Sequence, residues 1–503
     1  MSTSALTTAR HVTASNHRPL VIDLDGSLVR TDTLIECVVA GLAHPLKLAK
    51  ALFALRRGKA AMKAALADLA APDPALLPYN PELLAFLRDE QKRGRPLILA
   101  TAADRRIAFA VAEHLDLFDA VLASDSVVNL AGPAKLAAIK TALADRDFAY
   151  VGDEHRDLSV WREAAAAITV DAPPRLARAV AEVAPIERVF DAGISRGKAL
   201  LRAMRPHQWL KNLLVFVPLV TARAIGDFAG WGEAALAFAA FSLTASGIYL
   251  VNDLCDLAAD RQHPNKCNRP LASGALPLRT GLAVAPLLLL AGAAIGAGAG
   301  VFPVLALYAA LSLGYSFHLK TQPLVDVFVL AALYTIRVIG GGIATGYTVS
   351  LWLLAFSSFL FLSLAMVKRV AELQALARRE RRGPARLEAV GGRKVKVAGR
   401  GYLASDAHIL ELMGVAASFV TSLVLALYMQ SAIMPVNDHR PTLAWGIVPL
   451  ILFWQCRLWL VTARGEMHHD PILFAARDWV SWVVTAASFA LLLFGTKVAM
   501  LPF

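Results

Sequence analysis

Paired cysteines are missing from this sequence. Only four occur in 503 residues, Cys37, Cys255, Cys267 and Cys456, and their spacing suits neither a bridge nor a zinc site. A disulfide scaffold is therefore not expected, and reduced thiols on the cytoplasmic side are the simplest reading. Residues 1–18, MSTSALTTARHVTASNHR, lack the apolar core of a secretory signal, so the leading domain is expected to stay in the cytoplasm. Long hydrophobic runs are absent before about residue 200. Related halves of the kind found in secondary transporters are absent as well, which argues against a transporter.

Apolar residues are abundant instead. They make up 57% of the chain, and the mean hydropathy is +0.52, high for a soluble protein. After residue 200, apolar stretches of about 20 residues recur, long enough to cross a ~30 Å hydrocarbon core as helices. Nine spans are expected, near 210–226, 232–254, 279–298, 301–317, 323–343, 350–373, 409–431, 442–463 and 478–500. Glycine-rich stretches such as IGGGIATG would let such helices approach closely. The predicted fold class is a two-domain chain: an α/β region with a parallel sheet over 1–195, and an all-α membrane bundle over 196–503.

The net charge is +12. The basic residues lie between apolar segments, so they read as topology determinants and nucleic acid is not an expected partner. With the N-terminus inside, the inner loops hold Arg261, Lys266, Arg269, Arg279, Lys320, the run from Lys368 to Arg400, Arg464 and Arg477. The outer loops hold little beyond Arg223 and Arg440. The positive-inside rule then predicts an inner-membrane protein whose motifs and leading domain face the cytoplasm. The sequence sets no oligomeric state.

Four segments of the first region end apolar, strand-like runs in polar residues. PLVIDLDGSLV ends in Asp23 and Asp25, which alternation puts on one side. Two carboxylates so close repel unless a cation lies between them, so Mg²⁺ is expected there. RPLILATAADRR ends in Thr101, GPAKLAAI supplies Lys135 as a point charge for phosphate, and FAYVGDEHRD supplies Asp153 and Asp157.

In order and placement these segments resemble the haloacid dehalogenase (HAD) superfamily over most of 18–175. The resemblance implies Asp23 as nucleophile through an aspartyl-phosphate and Asp25 as general acid and base. It implies Thr101 and Lys135 on the phosphoryl group, and Mg²⁺ on Asp23 and Asp153 with Asp157 in support. Ser27 stands where the family usually has threonine, and the hydroxyl is kept. Residues 34–90, rich in Ala, Leu and Lys, read as a helical cap, and 172–200 as a Pro-containing linker.

The membrane region concentrates its polar residues at the end of the second span, SGIYLVNDLCDLAADRQHPNKCNRP. Asn252, Asp253, Asp256 and Asp260 recur at three- and four-residue spacing, which on a helix lines one face. Acids at a membrane helix end are costly without function. A divalent cation, and through it a diphosphate, explains them. His263-Pro264 ends the helix, and Lys266 and Arg269 follow as phosphate donors.

This motif resembles the first motif of the UbiA superfamily of intramembrane prenyltransferases, and the likeness extends over 200–503. No second paired-acid motif follows in LGYSFHLKTQPLVDVFVLAALYTIRVIGGG, which offers Lys320, Asp326 and Arg337 instead. With RPHQWLKN and MVKRVAEL, the pattern resembles the decaprenyl-phosphate phosphoribosyltransferase branch. That resemblance implies phosphoribosyl diphosphate as donor, polyprenyl phosphate as acceptor, and Mg²⁺ on Asn252, Asp256 and Asp260 beside Asp253. The implied substrate contacts are Lys211, Asn212, Lys266, Arg269, Lys320, Asp326, Arg337, Lys368 and Arg369. The fused hydrolase would then remove the 5-phosphate of the lipid product. The alternative is prenyl transfer from a prenyl diphosphate to an aromatic acceptor, with the hydrolase acting on an unrelated phosphate.

Overall fold

The computed structural model describes residues 17–191, 193, 195–382, 401–430, 444–467 and 470–494. The basic inner loop from about 374 to 407, which reads as a lid or a topology determinant, lies outside them over 383–400, as does Arg440. The chain divides into two compact units. One joins Met1–Met204 to Tyr249–Ala285, and the other joins Arg205–Ile248 to Pro286–Phe503. The second apolar helix thus begins in one unit and ends in the other.

The first unit is built on six parallel strands: β1 Leu20–Ile22, β2 Leu97–Asp104, β3 Ala120–Ser124, β4 Ala149–Gly152, β5 Ala166–Val170 and β6 Ile186–Phe190, in the order β3-β2-β1-β4-β5-β6. β1 is central and fully buried. Its side chains alternate between two cores, Leu20 and Ile22 into one, Val21 into the other. Continuous apolar runs therefore form strands covered on both faces. The helices Thr33–Gly41, Pro45–Phe53 and Lys59–Ala70 intervene between β1 and β2, where the cap is expected. Asp32 caps the first of them by accepting from the Leu34 and Ile35 amides.

The linker reading of 172–200 is corrected. Pro174 opens a helix, Pro174–Val183, where its missing N–H costs nothing, and the following segment is β6, paired with β5.

Six helices are long and apolar enough to cross a membrane: Phe228–Cys255, Leu278–Gly298, Val325–Thr345, Leu351–Ala375, Asp406–Gln430 and Ala444–Ala463. The expected nine are not reached among the described residues. Phe302–Phe317 is apolar but has only 16 residues. The first expected span is instead a 3-10 segment, Pro206–Phe216, followed by the short helix Val217–Thr221. The last expected span starts with the helix Trp479–Phe494, which follows the helix Pro471–Arg477 at a bend of 85°, and its end over 495–500 lies outside the described residues. Asp478 explains that bend: its carboxylate accepts from the Ser481 amide at 2.8 Å and takes both ends of the Arg457 guanidinium at 2.7 and 2.9 Å. A cap with a fixed counter-charge starts a new helix direction there. Close approach is real in the glycine-rich stretch. A Cβ on Gly341 would sit 1.9 Å from the Val215 carbonyl oxygen.

Candidate active sites

The carboxyl ends of β1 and β4 bring Asp23, Asp153 and Asp157 together, with one ligand oxygen from each within 4.8 Å of the others. Lys135, at the start of the helix Pro133–Leu143, reaches in. Its Nζ lies 2.8 Å from Asp23 Oδ2, 3.5 Å from Asp157 Oδ1 and 3.0 Å from the Tyr150 hydroxyl. Tyr150 in turn donates to Asp157 at 2.8 Å, and Ser27 Oγ donates to Asp153 at 3.1 Å. Three carboxylates therefore meet one lysine, and the surplus of negative charge in a buried place favours a hard cation. Gly26 keeps the space clear. It has φ +77°, and a Cβ there would lie 2.1 Å from Asp153 Oδ2. On this donor set the site fits a divalent ion such as Mg²⁺.

The charge states follow from burial. Burial pushes Asp23 up to about 6, with Lys135 pulling it back. Burial also pushes Asp25 up to about 7, helped by the negative charge of Asp32. Asp153 is driven well above the carboxylate range by burial and by Asp23 and Asp157. Lys135 would be lowered by burial, but the Asp23 and Asp157 charges outweigh that and hold it above its ordinary value.

The sequence-predicted residues do not all take their expected places. Asp25 accepts from the Thr33 amide at 2.8 Å and stands outside the carboxylate trio, where Asp157 takes the place the spacing gave it. Thr101 is buried and accepts from the Ala103 amide at 3.0 Å, while Ala102, Ala103 and Asp104 line the cavity above Asp23. Lys63 and Asn129 were not foreseen. Lys63 Nζ donates to the Ala102 carbonyl at 2.6 Å and to Asn129 Oδ1 at 2.9 Å beside that cavity. Lys63 belongs to an Ala/Lys-rich cap helix, where nothing sets it apart from its neighbours.

The acids of the second motif do not share one continuous helix. The long helix stops at Cys255, Asp256 stands at the break, and a short helix, Leu257–Gln262, follows. The spacing survives because the Asp256 amide donates to the Asn252 carbonyl at 2.9 Å and the Asp260 amide to the Asp256 carbonyl at 2.8 Å. Asp253 and Asp260 are buried and clamp Arg269, at 3.0 and 2.6 Å. Lys266 lies 4.0 Å from Asp260 and is half exposed. Asn252 and Asp256 are partly exposed beside this clamp, but among the described residues Asp253, Asp256 and Asp260 do not bring their oxygens into one metal-sized group as Asp23, Asp153 and Asp157 do.

In the second unit, Lys211 and Lys368 converge on Asp470, at 2.8 and 3.4 Å from Oδ2. Asp470 was not foreseen, because it stands 259 residues from Lys211 and only the fold joins them. Asn212 and Arg337 are buried and bonded to each other at 2.7 Å. Asn212 also donates to Ser242, and Arg337 to the Tyr308 hydroxyl and the Leu333 carbonyl. Asp326 is buried between Arg369 and the Tyr402 hydroxyl. These four predicted contacts, Asn212, Arg337, Asp326 and Arg369, are thus held by protein partners. Lys320 sits half-buried on the turn Leu319–Thr321.

Comparison with known proteins finds one family in the leading part of the sequence and another in the rest. The UbiA prenyltransferase family model matches residues 213–470, and the haloacid dehalogenase-like hydrolase model matches residues 20–162. An uncharacterized protein, y4nM, of Sinorhizobium fredii is 35% identical over 478 residues, covering 93% of this chain and 89% of that protein. Nodulation protein NoeC of Azorhizobium caulinodans is 36% identical over 286 residues, 56% of this chain and 88% of that protein. A decaprenyl-phosphate phosphoribosyltransferase of Corynebacterium glutamicum is 41% identical over 180 residues, 35% of this chain and 54% of that protein.

Proposed function

This chain belongs to the UbiA prenyltransferase family, as a membrane transferase fused to a HAD-like hydrolase, and we propose that its two halves act in turn on one membrane lipid. The transferase half joins the ribosyl group of phosphoribosyl diphosphate to polyprenyl phosphate and releases diphosphate. The hydrolase half then removes the 5-phosphate, leaving polyprenyl-phosphoryl ribose, a lipid-linked pentose donor. The identity of about 40% to decaprenyl-phosphate phosphoribosyltransferases, over about 180 residues of the UbiA part, carries the reading.

In the transferase half, Asn252, Asp253, Asp256 and Asp260 offer oxygen ligands on the donor's diphosphate side. Arg269, held by Asp253 and Asp260, is aimed as a fixed cation. Lys211 and Lys368, gathered by Asp470, are suited to a phosphate. The ribose C1–O bond to diphosphate breaks as a lipid phosphate oxygen bonds to C1, and the protein positions both partners. In the hydrolase half, Asp23 attacks phosphorus and Asp25 protonates the leaving ribose oxygen. Burial raises Asp25 into the range where it holds a proton near neutral pH. Water then releases phosphate from Asp23. Lys135 and Thr101 remain the candidates for holding the phosphoryl oxygens. Magnesium, when bound at either set of acids, would neutralise phosphate oxygens alongside these cations. Loop charge supports an inner-membrane orientation with these residues on the cytoplasmic side, and tethering keeps the hydrolase near a product confined to the bilayer.

The test supplies purified protein with labelled phosphoribosyl diphosphate plus polyprenyl phosphate, and separately with labelled prenyl diphosphate plus hydroxybenzoate. Label is expected in lipid from the first pair only, and prenylated hydroxybenzoate from the second would overturn the assignment. In Asp23→Asn the phosphorylated lipid should accumulate. Dephosphorylated lipid formed at the ordinary rate would break the link between the two halves.

A further inference from the structure

The cavity above Asp23 has a volume of about 590 Å³, and its lining is not supplied by the hydrolase sequence alone. Gly274, Ala275, Pro277, Leu278 and Arg279 form part of the wall. They lie just beyond the transferase acid motif and belong to the same compact unit as the hydrolase. The contact is built. Arg261 forks onto Glu36 of the cap at 3.1 and 2.6 Å, both side chains are buried, and Arg261 Nε donates to the Ala272 carbonyl at 3.1 Å. Thr31 fixes the same carboxylate at 2.6 Å. Gly274 has φ +75°, and a Cβ there would meet the Arg30 carbonyl oxygen at 2.5 Å, so the two segments touch backbone to backbone.

Two features of this wall bear on substrate. Leu278 opens the membrane-crossing helix Leu278–Gly298, so one side of the cavity runs directly into a span. Arg279, one residue on, is 3.9 Å from Glu154, the neighbour of Asp153, and stays 61% exposed, so its guanidinium is only loosely engaged. A cation at the head of a span, facing a phosphate-cleaving site, suits a substrate with two anionic groups and a buried tail. The terminal phosphate meets Asp23 and Lys135, the second phosphate meets Arg279, and the tail stays among lipid.

We propose that Arg279 is a specificity-determining residue of the hydrolase site, selecting a phosphomonoester borne on a membrane-embedded lipid phosphodiester over a soluble phosphomonoester. The inference rests on the consecutive reading above. The reaction is the same for either substrate: the ester P–O bond breaks, a bond from Asp23 to phosphorus forms and is hydrolysed, and the proton goes to the leaving oxygen.

The experiment uses full-length protein in dodecylmaltoside micelles with Mg²⁺, and compares p-nitrophenyl phosphate with chemically synthesised polyprenyl-phosphoryl 5-phosphoribose. In Arg279→Ala, kcat/KM for the lipid should fall roughly 10- to 100-fold, the scale of one lost charge-assisted contact. The loss should lie in KM, hydrolysis of p-nitrophenyl phosphate should stay within about twofold of the unchanged protein, as that substrate lacks the second anion, and Arg279→Lys should restore most of the lost activity. Unchanged lipid hydrolysis in Arg279→Ala, or an equal loss on both substrates, overturns the assignment while leaving the consecutive reading intact. If the unsubstituted protein cleaves p-nitrophenyl phosphate but not the lipid, the consecutive reading falls and this inference with it.

Discussion

At the scale of single residues, the hydrolase site is a problem of charge. Asp23, Asp153 and Asp157 share a buried space with one lysine, and Tyr150 holds the lysine and Asp157 in register through its hydroxyl. Tyr150→Phe removes both bonds without changing the packing against Trp161. It is expected to lower phosphomonoesterase kcat about tenfold and stability by about 1–3 kcal/mol, the cost of buried polar groups left unpaired. Activity and thermal melting of the full chain measure the two, and an unchanged kcat would remove Tyr150 from the site. Gly26→Ala tests the cation place more directly. The new methyl must displace the Asp153 carboxylate and the backbone must hold a positive φ. The Mg²⁺ concentration giving half-maximal hydrolysis should rise at least about tenfold, on the scale seen when the surroundings of a metal ligand are disturbed. An unaltered Mg²⁺ dependence would show that Asp153 is not a ligand.

At the scale of elements, the interruption at Asp256 matters most. A straight helix would place the four polar residues in a stripe. Across the break Asp253 and Asp260 still fall on one side, and both meet one arginine. Arg269→Gln leaves two buried carboxylates without their cation and is expected to cost about 3–5 kcal/mol of stability. Transferase turnover should fall below roughly a hundredth, since a contact of several kcal/mol is lost, and full turnover would show that Arg269 serves packing alone. How far this was legible in the sequence depends on the range of the interaction. The motif residues sit at strand and helix ends, where apolar runs stop, so local pattern finds Asp23, Asp153, Asp253 and Asp260. Tyr150, Lys63 and Asp470 act through partners far along the chain, and no local pattern marks them. The span count fails for a related reason. Hydropathy reports apolar length, but Lys211 and Asn212 are bonded inside the fold and the apolar stretch Phe302–Phe317 forms only 16 helical residues, so apolar length and spanning length part company.

At the scale of the whole molecule, the two functions are tied by a contact between residues 225 positions apart. The short helix Leu257–Gln262 presents Asp260 to Arg269 and, from the next residue, Arg261 to Glu36 of the hydrolase cap. One six-residue element therefore serves the acid motif of the transferase and the closure of the hydrolase. A buried ion pair of this kind adds little over an apolar pair, but breaking one side is costly because the other charge stays buried. Glu36→Ala and Arg261→Met should each destabilise the hydrolase by about 3–5 kcal/mol, read as earlier thermal loss of p-nitrophenyl phosphate hydrolysis in the full chain. The double variant should cost clearly less than the sum, with a coupling of about 1–3 kcal/mol. Strict additivity would mean that the two residues do not hold each other, and that the hydrolase folds without help from the segment after the second span.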